Sequence, residues 1–385
     1  MTVWSNVLAR RPGADGGRTR VMPRRRQRAA RRPAPVTIIY RWDLDKTYLK
    51  SDFESLRKMM RMPFERAEDK VDEPGVVALI RALKATARNE GRAALVYFIS
   101  ASPPQMGRAI RDKLALDGVE TDGIVFKDQL QHLVRGRFRY LREQVGFKLA
   151  ELLKARVDAP PGAVEFLFGD DWESDPIIYS LYADVIAGSL DHEALGDILV
   201  RLRIDPARLV EIKALARRVV GADAVRRIFI NLERRTPPGR FRPFGARLVP
   251  TFNYFQTALV LHEEGVLPVA AVVEVGRSLI ERSAYTREGL RNSLDDLGRR
   301  SHVEPLTLAA LRRDLEEAGI LATSGGFGAL PRRLWRRLIW GRRRRHRRPV
   351  HRLEEPRAAS TTVVEYQRVV DAWLASGGRP GGEPA

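Results

Sequence analysis

Two aspartates, one residue apart, follow a short apolar run in the first part of the chain. Residues 37–42 are mainly β-branched or aromatic, and Asp43, Asp45 and Thr47 come directly after them. Such a run predicts a buried strand of a parallel sheet. In open α/β sheets, chemistry takes place just past the carboxyl ends of the strands. Two carboxylates this close repel each other unless a cation or a shared proton relieves the repulsion.

This pair of carboxylates suits phosphoryl transfer. Asp43 can attack a phosphorus atom, while Asp45 can protonate the leaving oxygen and later deprotonate a water molecule. A magnesium ion held between the carboxylates would screen the charge of the phosphate. Two other interpretations stay open for the same residues: an acidic loop, or a strand end that only holds magnesium.

A hydroxyl and an ammonium group follow the next predicted strands. Residues 93–99 predict a second buried strand, and Ser100 follows it. The Ser100 hydroxyl could donate a hydrogen bond to a phosphoryl oxygen, or it could cap the helix that comes next. Gly146 predicts the start of a later helix that includes Lys148. A lysine at a helix start opposes the helix dipole and therefore suggests an anionic partner, although a surface lysine is the simpler alternative.

An acidic cluster follows the strand predicted at residues 164–168. Four acidic residues lie within seven positions there: Asp170, Asp171, Glu173 and Asp175. Crowded carboxylates at a strand end are costly unless oxygen ligands bind a hard cation. This cluster therefore predicts a cation site at the end of the strand, with a solvated acidic loop as the alternative.

The order of these motifs resembles that of the haloacid dehalogenase superfamily of phosphohydrolases, over about residues 36–190. The resemblance implies a Rossmann-like parallel sheet and a Mg²⁺-dependent reaction through an aspartyl-phosphate. Six side chains would share that chemistry as nucleophile (Asp43), general acid and base (Asp45), phosphate-binding groups (Ser100 and Lys148) and magnesium-binding acids (Asp170 and Asp175).

Two local sequences are similar to a narrower group, the phosphatidate phosphatase catalytic-domain family typified by the actin-patch enzyme. They are the Ser-Ala-Ser-Pro at 100–103 and the Gly-Asp…Asp-Pro…Tyr pattern at 169–179. This similarity makes phosphatidate one candidate substrate. Lys46, Phe147 and Asp171 depart from that family's pattern.

The formal net charge of +20 suggests a polyanionic partner. Much of the charge is arginine in two tracts, one near each end, which predict contact with nucleic acid or with an anionic membrane surface. Solvated basic tails are the alternative. There are no cysteines, which excludes disulfides and thiolate catalysis. The sequence predicts neither a membrane span nor a secretory signal, so we expect a cytoplasmic protein, with peripheral membrane contact as a variant.

The expected fold class is α/β, with a Rossmann-like sheet and a mainly α-helical C-terminal region. We predict a last strand at residues 185–188 and, beyond residue 200, helices only, one of which includes Phe229 and Ile230. The predicted segments are a disordered basic arm (1–35), a phosphatase domain (36–195), a helical domain (200–325), a basic amphipathic linker (326–357) and a terminal helix with a tail (358–385). Two alternative functions stay open: a basic nucleic-acid or membrane binding protein with an inactive domain, or a phosphatase for polynucleotide ends.

Overall fold

Six parallel strands form one sheet in the computed structural model of the protein, in the order β3-β2-β1-β4-β5-β6. The structure describes residues 36–45, 47–49, 72–100, 104–127, 137–172, 174–219, 221, 223–323 and 364–376. The strands are β1 (Ile38–Asp43), β2 (Ala94–Ser100), β3 (Gly123–Phe126), β4 (Val164–Asp170), β5 (Val225–Asn231) and β6 (Leu248–Thr251). The predicted α/β Rossmann-like fold is confirmed.

Helices cover both faces of this sheet. They are α1 (Val76–Asn89), α2 (Gly107–Leu116), α3 (Arg137–Val157), α4 (Asp175–Ala187), α5 (His192–Arg201), α6 (Pro206–Ala216), α7 (Tyr254–Glu263), α8 (Val269–Arg282), α9 (Arg287–Arg299), α10 (Pro305–Glu317) and α11 (Tyr366–Ala375). The apolar residues of α1, α2 and α7 to α10 form one core with the sheet. Those of α3 to α6 and α11 form a second core on the other face.

The side chains of β1 alternate between these two cores. Ile38, Tyr40 and Trp42 belong to the first core, so Arg41 and Asp43 project toward the other face, where α3 and α4 pack. An apolar strand that is buried on both faces is typical of a parallel sheet. The alternation therefore directs the Asp43 carboxylate toward the helices that follow β3 and β4.

The strand register aligns the polar residues at one edge of the sheet. Asp43 pairs with Ile99 of β2, one residue before Ser100, and Trp42 pairs with Phe168 of β4. The chain passes from β1 outward to β2 and β3, and then returns to the other side of β1 as β4. Such a reversal of strand order opens a crevice at the carboxyl ends, where open α/β sheets bind their ligands. Asp43 and Asp170 lie on either side of it.

Three secondary-structure predictions for the second half of the chain are wrong. Residues 185–187 belong to helix α4 and Gly188 caps its end, so no strand forms there. Phe229 and Ile230 lie in strand β5, and β6 also belongs to the region expected to be helical. Pro250 obscured β6, but an edge strand tolerates a residue that has no N–H. The sheet thus continues past the boundary predicted near residue 195, and the helical character holds for α7 to α10.

Several predictions fall outside the described residues. They concern the basic arm at 1–35, Lys46, residues 101–103 of the Ser-Ala-Ser-Pro sequence, Glu173 and the basic linker at 326–357 with its arginine tract. Among the residues that the structure describes, we find no helix with the length and apolar character that a membrane crossing requires.

Candidate active site at the carboxyl edge of the sheet

Lys148 lies at the centre of a buried ion-pair cluster between α3 and the ends of the strands. Its side chain is fully buried, and its Nζ lies 2.7 Å from Asp43 Oδ1 and 2.6 Å from Asp175 Oδ1. The expected anionic partner of Lys148 is therefore two carboxylates. Because a buried ammonium is stable only when it is paired, these two contacts explain how Lys148 is accommodated in the core.

The predicted helix start at Gly146 is wrong, because α3 begins at Arg137 and Lys148 lies well inside it. A Cβ at Gly146 would lie 3.1 Å from Arg208 Cγ and 3.2 Å from Ile204 Cγ2. The glycine thus permits α3 to pack closely against the segment around the start of α6. Because Lys148 lies in the middle of α3, the helix dipole does not account for its anionic partners.

Asp170 and Asp175 are brought together by the turn between β4 and α4. Asp170 is the last residue of β4, and Asp175 begins α4 with Pro176 in the first turn, where a proline is well tolerated. The backbone N–H of Asp170 donates a hydrogen bond to Asp175 Oδ2 at 3.4 Å. A Cβ at Gly169 would lie only 2.7 Å from Asp175 Cβ, so the glycine makes room for this carboxylate.

Three carboxylates form a group with the dimensions of a cation site. One oxygen each of Asp43, Asp170 and Asp175 lies within 4.8 Å of the other two, and all three residues are fully buried. When ionised, three carboxylates carry more negative charge than the ammonium of Lys148 offsets within this group. Oxygen donors with an excess negative charge fit a hard divalent cation such as Mg²⁺. Asp45, which was also predicted as a ligand, is not in this group.

Asp45 is held instead by Ser100, at the end of the neighbouring strand. The Ser100 hydroxyl donates a hydrogen bond to Asp45 Oδ2 at 2.9 Å, and both side chains are buried. The convergence of these two residues follows from the pairing of β1 with β2. Ser100 therefore orients Asp45, the predicted general acid and base. That Ser100 also binds a phosphate stays a prediction.

A contact that was not predicted from the sequence joins the turn after Asp45 to helix α7. This helix lies on the face of the sheet opposite to α3 and α4. Tyr254, at the start of α7, donates its hydroxyl to the carbonyl oxygen of Thr47 at 2.5 Å. Burial raises the pKa of Tyr254 above its usual value, and the charges of Glu73, Asp170 and Asp43 add to the rise. Tyr254 therefore stays protonated and donates. Because the two residues are far apart in the chain, local patterns gave no signal for this contact.

The charges of the site change the pKa of Tyr179, the tyrosine of the acidic motif. Burial raises its pKa well above the usual value, and the nearby carboxylate of Asp175 raises it further, whereas Lys148 lowers it. Asp43 and Asp170 add to the rise. Tyr179 stays neutral and donates its hydroxyl to the carbonyl oxygen of Phe168 at 3.3 Å.

Asp171, the second acidic residue of the motif, has different partners. Asp171 accepts hydrogen bonds from the backbone N–H groups of Arg234 at 2.9 Å and Thr236 at 3.1 Å. It therefore fixes the segment that follows β5. These hydrogen bonds explain why an aspartate stands at position 171, although it is not part of the three-carboxylate group.

The fold and the site together define an α/β protein with a buried acidic site at the reversal of its strand order. Comparisons with protein-family models, with curated proteins and with solved structures each gave no match. The resemblance to the haloacid dehalogenase superfamily therefore stays a prediction from the motifs. The functional proposal depends on the geometry of the site.

Proposed function

We propose that this protein is a Mg²⁺-dependent phosphomonoester hydrolase that works through an aspartyl-phosphate on Asp43. The observation that supports it most is the group of three buried carboxylates with Lys148 between two of them. A phosphomonoester is an anion, and a bare carboxylate would repel it. Lys148 offsets part of the charge of Asp43, so that an anionic substrate can approach it.

In the first half of the reaction, Asp43 is the nucleophile. Lys148 holds Oδ1 of Asp43, and we assign the attack on phosphorus to Oδ2. A bond forms between this oxygen and phosphorus, while the bond from phosphorus to the leaving oxygen breaks. Asp45 gives its proton to the leaving oxygen, and the hydrogen bond from Ser100 keeps its carboxyl group in position.

In the second half, a water molecule attacks the phosphorus of the aspartyl-phosphate. Asp45 takes the proton of this water, which returns it to the protonated form. The bond between phosphorus and Asp43 breaks, and inorganic phosphate leaves. Asp43, Asp170 and Asp175 would hold Mg²⁺, which when bound neutralises charge on the phosphoryl oxygens.

The first test measures the Mg²⁺-dependent hydrolysis of p-nitrophenyl phosphate by the full chain and by Asp43→Asn. The amide cannot act as the nucleophile, so we expect turnover to be abolished while circular dichroism and the melting temperature show an intact fold. Retained turnover in this variant would refute the proposal.

A matched control replaces an acid by its amide far from the site. Asp191 caps helix α5 at the surface, where asparagine caps equally well. Asp191→Asn should therefore keep full activity. The substrate class is then tested with a short-chain phosphatidate and a 3′-phosphorylated oligonucleotide as competing substrates.

The alternative of a basic binding protein predicts a different result. The full chain would then bind anionic vesicles or nucleic acid tightly and would show no Mg²⁺-dependent turnover on any of the three substrates. The arginine tracts that motivate this alternative lie outside the described residues, and no contact within the described part of the chain favours it.

A further inference from the structure

Gln144, on helix α3, is a fully buried residue whose side-chain amide is unpaired within the described chain. Its exposed fraction is 0%, and neither Oε1 nor Nε2 has a hydrogen-bond partner among the described residues. An unpaired buried amide costs stability, because it loses its hydrogen bonds with water and gains none in return. Each such group in a folded protein needs an explanation, and a ligand that supplies the missing partner is one of them.

The position of Gln144 on helix α3 places it next to the proposed site. It lies four residues before Lys148, and residues at this spacing lie on the same face of a helix. Helix α3 connects the parallel strands β3 and β4, so it runs opposite to the strands. Gln144 therefore lies about 6 Å beyond Lys148, at about 1.5 Å per residue, on the side toward which the carboxyl ends of the strands point.

This is the space that a substrate on Asp43 would occupy. Lys148 contacts the carboxylate of Asp43 directly, and the phosphoryl group must lie on the outer side of that carboxylate. Two further buried hydroxyls around the same edge also lack partners within the described chain: Thr47 Oγ1, two residues after Asp45, and Ser174 Oγ, just before Asp175. These hydroxyls stand close in the chain to Asp45 and Asp175, and a phosphoryl group offers only acceptors to such donors.

We infer that Gln144 is a substrate-binding residue, whose Nε2 donates a hydrogen bond to a phosphoryl oxygen of the substrate. The inference rests on the proposed function and adds to it a group outside the motifs. An amide donates without adding a positive charge, so it can orient the phosphoryl group for in-line attack by Asp43 while Lys148 and the cation offset its charge.

The test uses Gln144→Met in the full chain, which keeps the length of the side chain and removes both polar atoms. A hydrogen bond to a charged phosphoryl oxygen corresponds to roughly a 10- to 100-fold effect. We expect KM for p-nitrophenyl phosphate, and the inhibition constants of orthovanadate and inorganic phosphate, to rise by this factor. The melting temperature without ligand should equal or exceed that of the wild type, since an unpaired buried amide has been removed.

Ser180→Ala is the matched control. Its hydroxyl is also buried without a partner in the described chain, but it lies on α4, more than a turn past Asp175. This variant should leave KM and inhibition unchanged. If Gln144→Met also leaves them unchanged, or if it only lowers the melting temperature, Gln144 is a structural residue and the inference is wrong.

The inference and the proposed function can fail separately. Turnover that disappears in Asp43→Asn supports the function whatever Gln144 does. The binding of inorganic phosphate to the wild type, measured by calorimetry with Mg²⁺ present, tests Gln144 without any turnover. Phosphate that does not bind, or that binds Gln144→Met as tightly as the wild type, overturns the inference alone.

Discussion

Strands β1 and β4 carry two ionic clusters with opposite proportions of charge. One has more cations than carboxylates, and the other has more carboxylates than cations. In the amino-terminal half of β4, Glu165 accepts hydrogen bonds from Arg41 Nε at 2.7 Å, Arg156 Nη1 at 3.1 Å and Tyr182 Oη at 2.8 Å. Two cations thus surround one carboxylate, whose two oxygens are both bonded. We call these four residues the Glu165 cluster.

At the carboxyl ends of the same strands, three carboxylates lie together beside the ammonium of Lys148. Asp43, Asp170 and Asp175 lie together with Lys148 as the ammonium between two of them. We call these four residues the Asp43 cluster. Its charge is not balanced by its own members, and the excess is negative.

We propose that this difference distinguishes a structural cluster from a binding site. A buried carboxylate whose two oxygens both accept hydrogen bonds holds neighbouring elements in register. It has no free oxygen with which to bind a ligand. A buried cluster with like charges in excess is destabilised by itself and gains free energy when a cation binds. We therefore expect substitutions in the two clusters to change stability in opposite directions.

The largest change in stability should follow Glu165→Gln. The amide keeps the shape of the side chain but removes the negative partner of the buried Arg41 guanidinium and of the partly buried Arg156 guanidinium, since both pair with Glu165. Removing one partner of a buried ion pair costs about 3–5 kcal/mol in the free energy of unfolding. Urea denaturation measures this loss, and the activity per folded molecule should stay unchanged. A variant as stable as the wild type would contradict the structural role of the cluster.

A smaller change, of opposite sign, is expected for Asp170→Asn without divalent cations. The variant removes one of three close negative charges and keeps Oδ1, which accepts a hydrogen bond from the backbone N–H of Trp172. The free energy of unfolding should rise by roughly 1–3 kcal/mol, because the repulsion between like charges is weaker. The measurement is urea denaturation in the presence of a chelator.

Added Mg²⁺ should reverse the order of the two proteins. The wild type should gain about 2.7 kcal/mol at a Mg²⁺ concentration 100 times its Kd, whereas Asp170→Asn should gain little. If Asp170→Asn destabilises the cation-free protein, or if Mg²⁺ stabilises both proteins equally, the carboxylates do not form the cation site.

The smallest expected effect is a dependence on pH that belongs to the Glu165 cluster. Burial opposes ionisation of Glu165, but Arg41 and Arg156 outweigh it and hold its pKa below the usual value of about 4.5. A depressed pKa in the folded state contributes stability above pH 4.5, and this contribution is lost as the pH falls through the folded-state pKa. The difference in unfolding free energy between the wild type and Glu165→Gln should therefore be constant near pH 7 and shrink below pH 4.5. A constant difference down to pH 3 would contradict this assignment.

The sequence was sufficient to predict the strand ends at which the candidate site lies. Parallel strands place their carboxyl ends at one edge, so Asp43, Ser100 and Asp170 could be expected to meet without any knowledge of long-range contacts. The roles of β5 and β6 could not be predicted, because short buried runs do not distinguish strands from helices and Pro250 argued against a strand.

Side-chain partners were harder to predict than strand ends. Gly146 looks like a helix start in the sequence, but its neighbours Ile204 and Arg208 come from a distant segment and explain it by packing. The bond from Ser100 to Asp45 and the exclusion of Asp45 from the three-carboxylate group depend on side-chain directions that no spacing encodes. The same holds for Tyr254, whose partner Thr47 lies more than two hundred residues away.

The most direct test of the central claim is to trap the phosphorylated protein. The wild type, Asp43→Asn and Asp45→Asn are each mixed with p-nitrophenyl phosphate and Mg²⁺, quenched in acid, and mapped by mass spectrometry. Because p-nitrophenolate leaves without an added proton, Asp45→Asn should still form the aspartyl-phosphate but hydrolyse it slowly. We predict a phosphoryl group on Asp43 in the wild type, more of it in Asp45→Asn, and none in Asp43→Asn. Turnover without any phosphoryl group on Asp43, or a phosphoryl group that persists in Asp43→Asn, would contradict the account.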